Sequence, residues 1–211
     1  YVASLPSAKT PASRFKDVGI TFPPEVVRVR VEKGKEPKSQ AVISYFADPP
    51  IEENEQTRVE AVTEVLEIAL RDSLREELGE TCRVSVGLSQ LTPQRGGGHI
   101  DISFSASPDN VDKMIARVQQ EVSRLQGAGP NEDRTNRAKE TARLTHETSI
   151  KQNGYWLGRL QSSKLLDRDP LLILSRLQRI DAVTPAVLHP KARPRPIPGR
   201  SDLRAEEFST R

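Results

Sequence analysis

The stretch QAVISYF at residues 40–46, taken with the segment after it, decides the fold class. Its β-branched and aromatic residues predict a strand, which Pro49-Pro50 stops because proline cannot donate a ladder hydrogen bond. Apolar residues then recur at three- and four-residue steps, the period of a helix. These positions are Val59, Val62, Val65, Leu66, Ala69, Leu70, Leu74 and Leu78. A strand therefore leads into a long amphipathic helix.

Other strands are predicted on both sides of this helix. Residues 26–31 (VVRVRV) alternate valine with arginine, and residues 84–88 and 100–104 alternate apolar with small or polar residues. Further helices are predicted from Ser107-Pro108 to Gly127, over residues 131–152 and over residues 170–180. Paired strands followed by runs of helix predict an α+β fold with a largely antiparallel sheet.

The predicted folded domain covers residues 17–184. Residues 1–16 are rich in Ser, Ala and Pro and are interpreted as a linker. Residues 185–211 are interpreted as a disordered, Pro/Arg-rich tail, with the alternative that residues 191–196 (KARPRP) bind an acidic surface or a proline-recognising groove. The chain begins with Tyr1 and is interpreted as a fragment or a processed product.

Composition argues against several classes of protein. The single cysteine, Cys82, leaves no internal disulfide framework and no cysteine-based zinc finger. No apolar run approaches the ~20 residues that cross a bilayer, and no signal segment is visible. The net charge of +3 is accounted for by residues 190–211, with 6 Lys+Arg against 3 Asp+Glu. We therefore expect no membrane span and no nucleic-acid partner.

Few other residues are candidates for a metal-binding or ligand-binding role. His99 and Asp101 lie two apart on a predicted strand and share a face, but a third metal ligand with suitable spacing is missing. A polar strand face is the simpler interpretation. Tyr155 and Trp156 lack the interleaved basic residues of a nucleic-acid stacking surface, which favours packing in a core or an interface.

Several short motifs, in this order along the chain, resemble one known family. They are Leu5-Pro6-Ser7, FKDVGI (15–20), KGKEPKSQ (33–40), LREELG (74–79), Ser103-Phe104 with PDNVD (108–112), and KQNGYWL (151–157). The set resembles, over about residues 1–185, the C-terminal region of M16 (pitrilysin/insulinase-type) zinc metallopeptidases, in particular large bacterial zinc proteases. The resemblance implies an M16 peptidase-like domain (LuxS/MPP-like metallohydrolase type) with helices packed on one face of the sheet.

The resemblance places the zinc site outside this chain. In that family the metal is held in the N-terminal half, on an inverted His-x-x-Glu-His motif with a distal Glu. His99, His146 and His189 lie more than 40 residues apart, and none stands in that pattern. We therefore expect zinc in the parent protein, no cofactor or metal in this fragment, and no peptide hydrolysis by the fragment alone.

The family's C-terminal half contributes an Arg, and a Tyr seven residues later, that reach the scissile carbonyl of an extended substrate. The matching positions here are Arg75 and Cys82, so the resemblance implies that these two residues bind substrate and that the fragment has no catalytic residue. A thiol is a weaker and shorter donor than a phenol. The alternatives are a helix-end charge for Arg75 and a small buried strand residue for Cys82.

The function implied by the resemblance is that of a non-catalytic domain which encloses the substrate of a peptide-hydrolysing zinc metallopeptidase. Its partners would be the N-terminal half of the same peptidase and an extended peptide, in the periplasm or cytoplasm of a bacterium. A catalytically inactive M16-like scaffold or protein-interaction subunit is the alternative, supported by Cys82. A peptide-binding module acting alone is a third possibility.

Overall fold

A computed structural model of the 211-residue chain describes residues 26–31, 33, 37–47, 53–78, 83–90, 98–165, 167–189 and 204–210. The strands are β1 (Val27–Val31), β2 (Ser39–Ala47), β3 (Val84–Gln90), β4 (Gly98–Ala106) and β5 (Arg204–Thr210). The helices are α1 (Glu53–Leu78), α2 (Val111–Ala128), α3 (Glu132–Ser149), α4 (Asn153–Leu165), α5 (Arg176–Asp181) and α6 (Pro185–Leu188). A 3-10 helix, Pro170–Ile173, lies between α4 and α5.

The five strands form one sheet in the order β1-β5-β2-β4-β3. The β2–β4, β2–β5 and β3–β4 pairs are antiparallel, and the β1–β5 pair is parallel. The predicted α+β fold with a largely antiparallel sheet is therefore confirmed. β1 and β2 follow each other in the chain without pairing, because β5 lies between them.

The structure differs from the predicted disordered tail in two segments. Pro185–Leu188 form α6, and the Thr184 hydroxyl caps this helix by accepting a hydrogen bond from Val187 N at 3.3 Å. Arg204–Thr210 form β5, although this sequence (RAEEFST) has no β-branched run that would predict a strand. Partners on both sides supply its hydrogen bonds. The predicted linker, residues 1–16, lies outside the described residues.

The hydrophobic core lies between the sheet and the helices on one of its faces. The predicted apolar stripe of α1 is buried over Val65, Leu66, Ala69, Leu70 and Leu74. It packs against side chains from β2, β4 and α2 that are almost fully buried, namely Ala41, Ile43, Ile102, Phe104, Met114 and Val118. The apolar face of α1 and the core-facing residues of the strands thus form one apolar layer.

The end of α2 lies two residues later than the sequence predicts. The expected terminating residue, Gly127, belongs to the helix, and the cap is Gly129, with φ 73° and ψ 178°. Its backbone N–H donates to the Leu125 carbonyl at 3.0 Å. Gly129 and Pro130 are both buried, so the chain turns into α3 inside the packed structure. This corner requires a positive φ, which only glycine adopts without strain.

Candidate functional site

Only one of the two predicted substrate-binding residues lies in the described part of the chain. Arg75 falls in the last turn of α1, but its side chain is outside the described part of the chain, as is the whole of Cys82. The turn itself is anchored by Leu74, which is almost completely buried, and by the Ser73 hydroxyl, which donates to the Leu70 carbonyl. A substrate-binding role for Arg75 and Cys82 stays a prediction.

One carboxylate of α1 contacts the β3 edge of the sheet. Glu67 Oε2 accepts a hydrogen bond from the Val86 backbone N–H at 3.0 Å, and Oε1 contacts Arg71. One edge amide of β3 is therefore occupied by a side chain of α1. Partial burial raises the pKa of the Glu64 carboxyl, the negative charge of Glu67 raises it further, and Arg71 opposes both.

The sheet face away from the helices carries the histidine and aspartate noted in the sequence. Asp101 accepts a hydrogen bond from the Ser44 hydroxyl across the β2–β4 pair, and its other oxygen lies 3.2 Å from His99 Nε2. The carboxylate stands between the imidazole and the hydroxyl, so the histidine cannot take the serine proton directly. The ring of His99 also contacts Phe46, with centroids 5.6 Å apart. The arrangement acts as a polar cross-strand contact, as the simpler interpretation predicted.

The described residues do not form a zinc site. Within the described ranges no group of three His, Cys, Asp or Glu residues comes together, and His99 and Asp101 contact each other without a third ligand. None of the described helices is long and apolar enough to cross a membrane.

The α3–α4 junction positions the predicted aromatic pair. Trp156 Nε1 donates to the Ile150 carbonyl at 2.8 Å, and the Tyr155 and Trp156 rings meet edge to face with centroids 5.6 Å apart. Tyr155 also lies edge to face with His146, at 6.1 Å between centroids. Trp156 is still 36% exposed, and α4 contains no buried residue. The pair therefore fixes the orientation of α4 and does not contribute to the core.

Next to this junction, four arginines line a cleft that the sequence analysis missed. The lining consists of Gln56, Arg159, Ser162, Ser163, Arg168, Asp169, Leu172, Ile173, Arg176 and Arg179. The net charge of the rest of the chain gave no sign of this cleft, because acidic residues elsewhere balance its arginines. A local count gives the signal: residues 159–179 hold five Lys+Arg and two Asp+Glu. We call this feature the arginine cleft.

Comparison with known proteins places this domain in a family. The family model described as "Peptidase M16 inactive domain" matches residues 1–142. The chain belongs to this M16 family. The resemblance inferred from the sequence motifs is confirmed, as is the expectation of a non-catalytic M16 domain of a zinc protease family.

Relatives of this M16 domain are much longer than the chain itself. A zinc protease PQQL-like protein of Arabidopsis thaliana is 27% identical over 176 residues, which is 76% of this chain and 18% of that protein. The periplasmic protease PqqL of Escherichia coli matches all of this chain and 22% of its own, with a TM-score of 0.74 at 16% identity. A peptidase M16 inactive domain of Pseudomonas fluorescens matches 89% of this chain and 44% of its own, with a TM-score of 0.68 at 14% identity. The chain thus spans about a fifth of the first two proteins, and the two structural likenesses establish the M16-type fold.

Proposed function

We propose that this domain encloses an extended peptide substrate as the non-catalytic C-terminal part of an M16 zinc metallopeptidase. The observation that carries the proposal is that a chain of the M16 inactive-domain family contains no His-x-x-Glu-His sequence. Zinc, and the carboxylate that activates its water, would then belong to the N-terminal half of the parent protein. That half is the proposed partner.

The contribution proposed for Arg75 is a hydrogen bond to the substrate carbonyl. A guanidinium at the end of α1 can stabilise negative charge that develops on this oxygen during cleavage. Cys82 stands where the family has a tyrosine, and its thiol is a weak donor. Peptide binding at this site would therefore depend mainly on Arg75, assisted by backbone groups.

The test compares this domain alone, the N-terminal half of the parent alone, and the two together. We expect one zinc per N-terminal half, none in this domain, and cleavage of a quenched fluorescent peptide only when both are present. In the complete enzyme, Arg75→Gln should lower kcat/KM at least about tenfold, because a donor to the developing oxyanion is lost. Lys113→Gln, which removes a positive charge from the exposed face of α2, is the matched control. One equivalent of zinc in the isolated domain would contradict the proposal.

A catalytically inactive scaffold is the second candidate, and Cys82 is the specific residue that favours it. If the scaffold function is correct, the combined halves will not cleave the peptide at any zinc concentration. A Cys82→Tyr variant distinguishes the two functions, because a restored phenol should raise kcat/KM in a peptidase and cannot create activity in a protein that lacks the zinc motif altogether.

A further inference from the structure

The arginine cleft lies between α4 and the segment formed by the 3-10 helix and α5. Arg159, Ser162 and Ser163 come from α4, and Asp169, Leu172 and Arg176 are among the residues of the facing segment. The floor includes Ile173, which is buried, and Gln56 near the start of α1. Two neighbouring segments of the chain and the distant residue Gln56 thus form one concave, polar surface.

The guanidinium groups of the cleft are oriented by protein contacts. Arg176 is paired with Glu60 at 2.8 Å, and Arg168 donates to Gln56 Oε1 at 3.0 Å. Arg179 donates to the Ser175 hydroxyl at 2.6 Å and to the Leu172 carbonyl at 2.9 Å. Arg159 lies over the Tyr155 ring, 5.7 Å from its centroid. Guanidinium groups held in this way lose less conformational entropy when a ligand binds.

The lining residues carry four positive formal charges and one negative charge, from Asp169. The oxygen atom Oδ1 of Asp169 accepts the Leu171 backbone N–H at 2.9 Å, so this carboxylate is committed to capping the 3-10 helix. Two of these charges also act on His146: burial lowers the pKa of its imidazole most, Arg176 and Arg159 lower it further, and Glu147 opposes them. Glu60, which is paired with Arg176, offsets one of the four positive charges, and the positive charge that remains in excess favours an anion.

Apolar side chains next to the lining residues in sequence are exposed. Leu160 of α4 is 50% exposed, and Leu171 and Leu174, which bracket Leu172 and Ile173, are 66% and 70% exposed. Leucines are costly to leave in water, and arginine beside apolar contacts is typical of the centre of protein interfaces. A bare phosphate would use the arginines but not these leucines.

We infer that the arginine cleft binds the carboxylate of an acidic residue in an extended polypeptide substrate, with apolar residues on either side of that carboxylate packing on Leu160, Leu171 and Leu174. Guanidinium groups bind carboxylates through paired N–H···O hydrogen bonds, and the cleft supplies the complementary charge. The three exposed leucines are direct sequence neighbours of its lining residues and are available for apolar contacts. The inference rests on the proposed function and assigns it a substrate class: unfolded segments in which Asp or Glu stands among apolar residues.

The test uses the 211-residue chain and a blocked hexapeptide with two central Glu residues, flanking Leu residues and no Trp. Binding is followed by the fluorescence of Trp156, the only tryptophan of the chain, which lies on α4. We expect saturable binding that weakens at least tenfold when both Glu residues are replaced by Gln. Inorganic phosphate, titrated separately, should bind at least tenfold more weakly than the acidic peptide, since it makes no apolar contact.

Single charge removals identify the cleft as the binding site. Arg159→Gln and Arg168→Gln should each weaken the acidic peptide about tenfold, as the loss of one charge-assisted contact predicts. Arg159→Lys should recover part of the loss, and Lys113→Gln should bind like the wild-type chain. Circular dichroism checks that each variant is folded. If Arg168→Gln does not fold, Arg159→Gln alone decides the test, because Arg159 makes a ring contact with Tyr155 whereas Arg168 donates a hydrogen bond to Gln56.

Three results would overturn the inference: equal affinity for the Gln peptide, equal affinity for phosphate, or unchanged affinity in Arg159→Gln. The proposed function is tested separately by the cleavage assay with the N-terminal half. Cleavage by the combined halves without binding of the acidic peptide refutes only the arginine cleft as a substrate site. No cleavage, with specific peptide binding intact, refutes only the peptidase.

Discussion

Replacing Gly129 by alanine should destabilise the domain more than the same change at Gly87, Gly127, Gly154 or Gly158. At φ 73° and ψ 178° the residue lies in a region that only glycine populates readily, which costs alanine about 1–3 kcal/mol. An added Cβ would also lie 2.5 Å from Cδ2 of the His189 ring, far closer than two carbon atoms approach. With the cost of moving that ring, we expect a total loss of about 3 kcal/mol in the free energy of unfolding.

The assay is thermal and urea unfolding followed by circular dichroism. A loss of about 3 kcal/mol corresponds to a fall in Tm of roughly 6–12 °C for a chain of this size. The double variant Gly129→Ala/His189→Ala should recover the part of the unfolding free energy that is lost through the clash with the ring, and should still lack the part lost through backbone strain. The effects of the two changes should therefore not be additive.

Gly127→Ala is the matched control for this prediction. A Cβ at Gly127 meets nothing within 4 Å, and the residue lies inside α2, so alanine should be neutral or stabilise by up to about 1 kcal/mol. If Gly127→Ala proves more harmful than Gly129→Ala, the helix ends where the sequence alone suggested and the reasoning from the corner geometry is wrong.

Three further changes test the electrostatics and the capping. Burial raises the pKa of Glu64 above its ordinary 4.5, so the folded state favours the protonated carboxyl. The contribution of this carboxyl to the free energy of unfolding is complete below pH 4.5 and is lost as the pH rises through the pKa of the folded state. Glu64→Gln should therefore raise Tm at pH 7 and have no effect below about pH 4. Glu67→Ala removes the acceptor of the Val86 N–H, so it should lower the free energy of unfolding in urea by about 1 kcal/mol. It should also increase light scattering, because a freed edge amide promotes aggregation. Glu140→Ala, on the exposed side of α3, should change neither quantity. Asn131→Ala removes the side-chain cap of α3 and should lower the unfolding free energy by about 1 kcal/mol, an effect that Asn131→Asp should not reproduce.

The parts of the fold that follow from local periodicity could be predicted from the sequence. Val65, Leu70 and Leu74 repeat at helical spacing and are buried as expected, and Ile102 and Phe104 alternate onto the core face of β4. The apolar pattern carries this information because one face of each element must leave water.

Features that depend on tertiary neighbours could not be predicted in this way. β5 is a strand because β1 and β2 offer it hydrogen-bonding partners on both sides, and its own residues have little strand preference. The cap at Gly129 depends on a packed corner, and the arginine cleft needs Gln56 and Arg176 to meet across more than a hundred residues of chain. The substrate-binding role predicted for Arg75 and Cys82 came from motif resemblance and not from any physical pattern.

The position of Trp156 affects how unfolding of this domain has to be measured. Its helix, α4, buries no side chain and is held mainly by the aromatic junction with α3 and by contacts around the 3-10 helix. A segment of this kind can open while the sheet and its helical layer remain intact, because little apolar surface is exposed in doing so. Fluorescence would then report the release of α4, and circular dichroism the loss of the core. The two curves would have different midpoints, and a two-state fit to the emission alone would understate the stability of the domain.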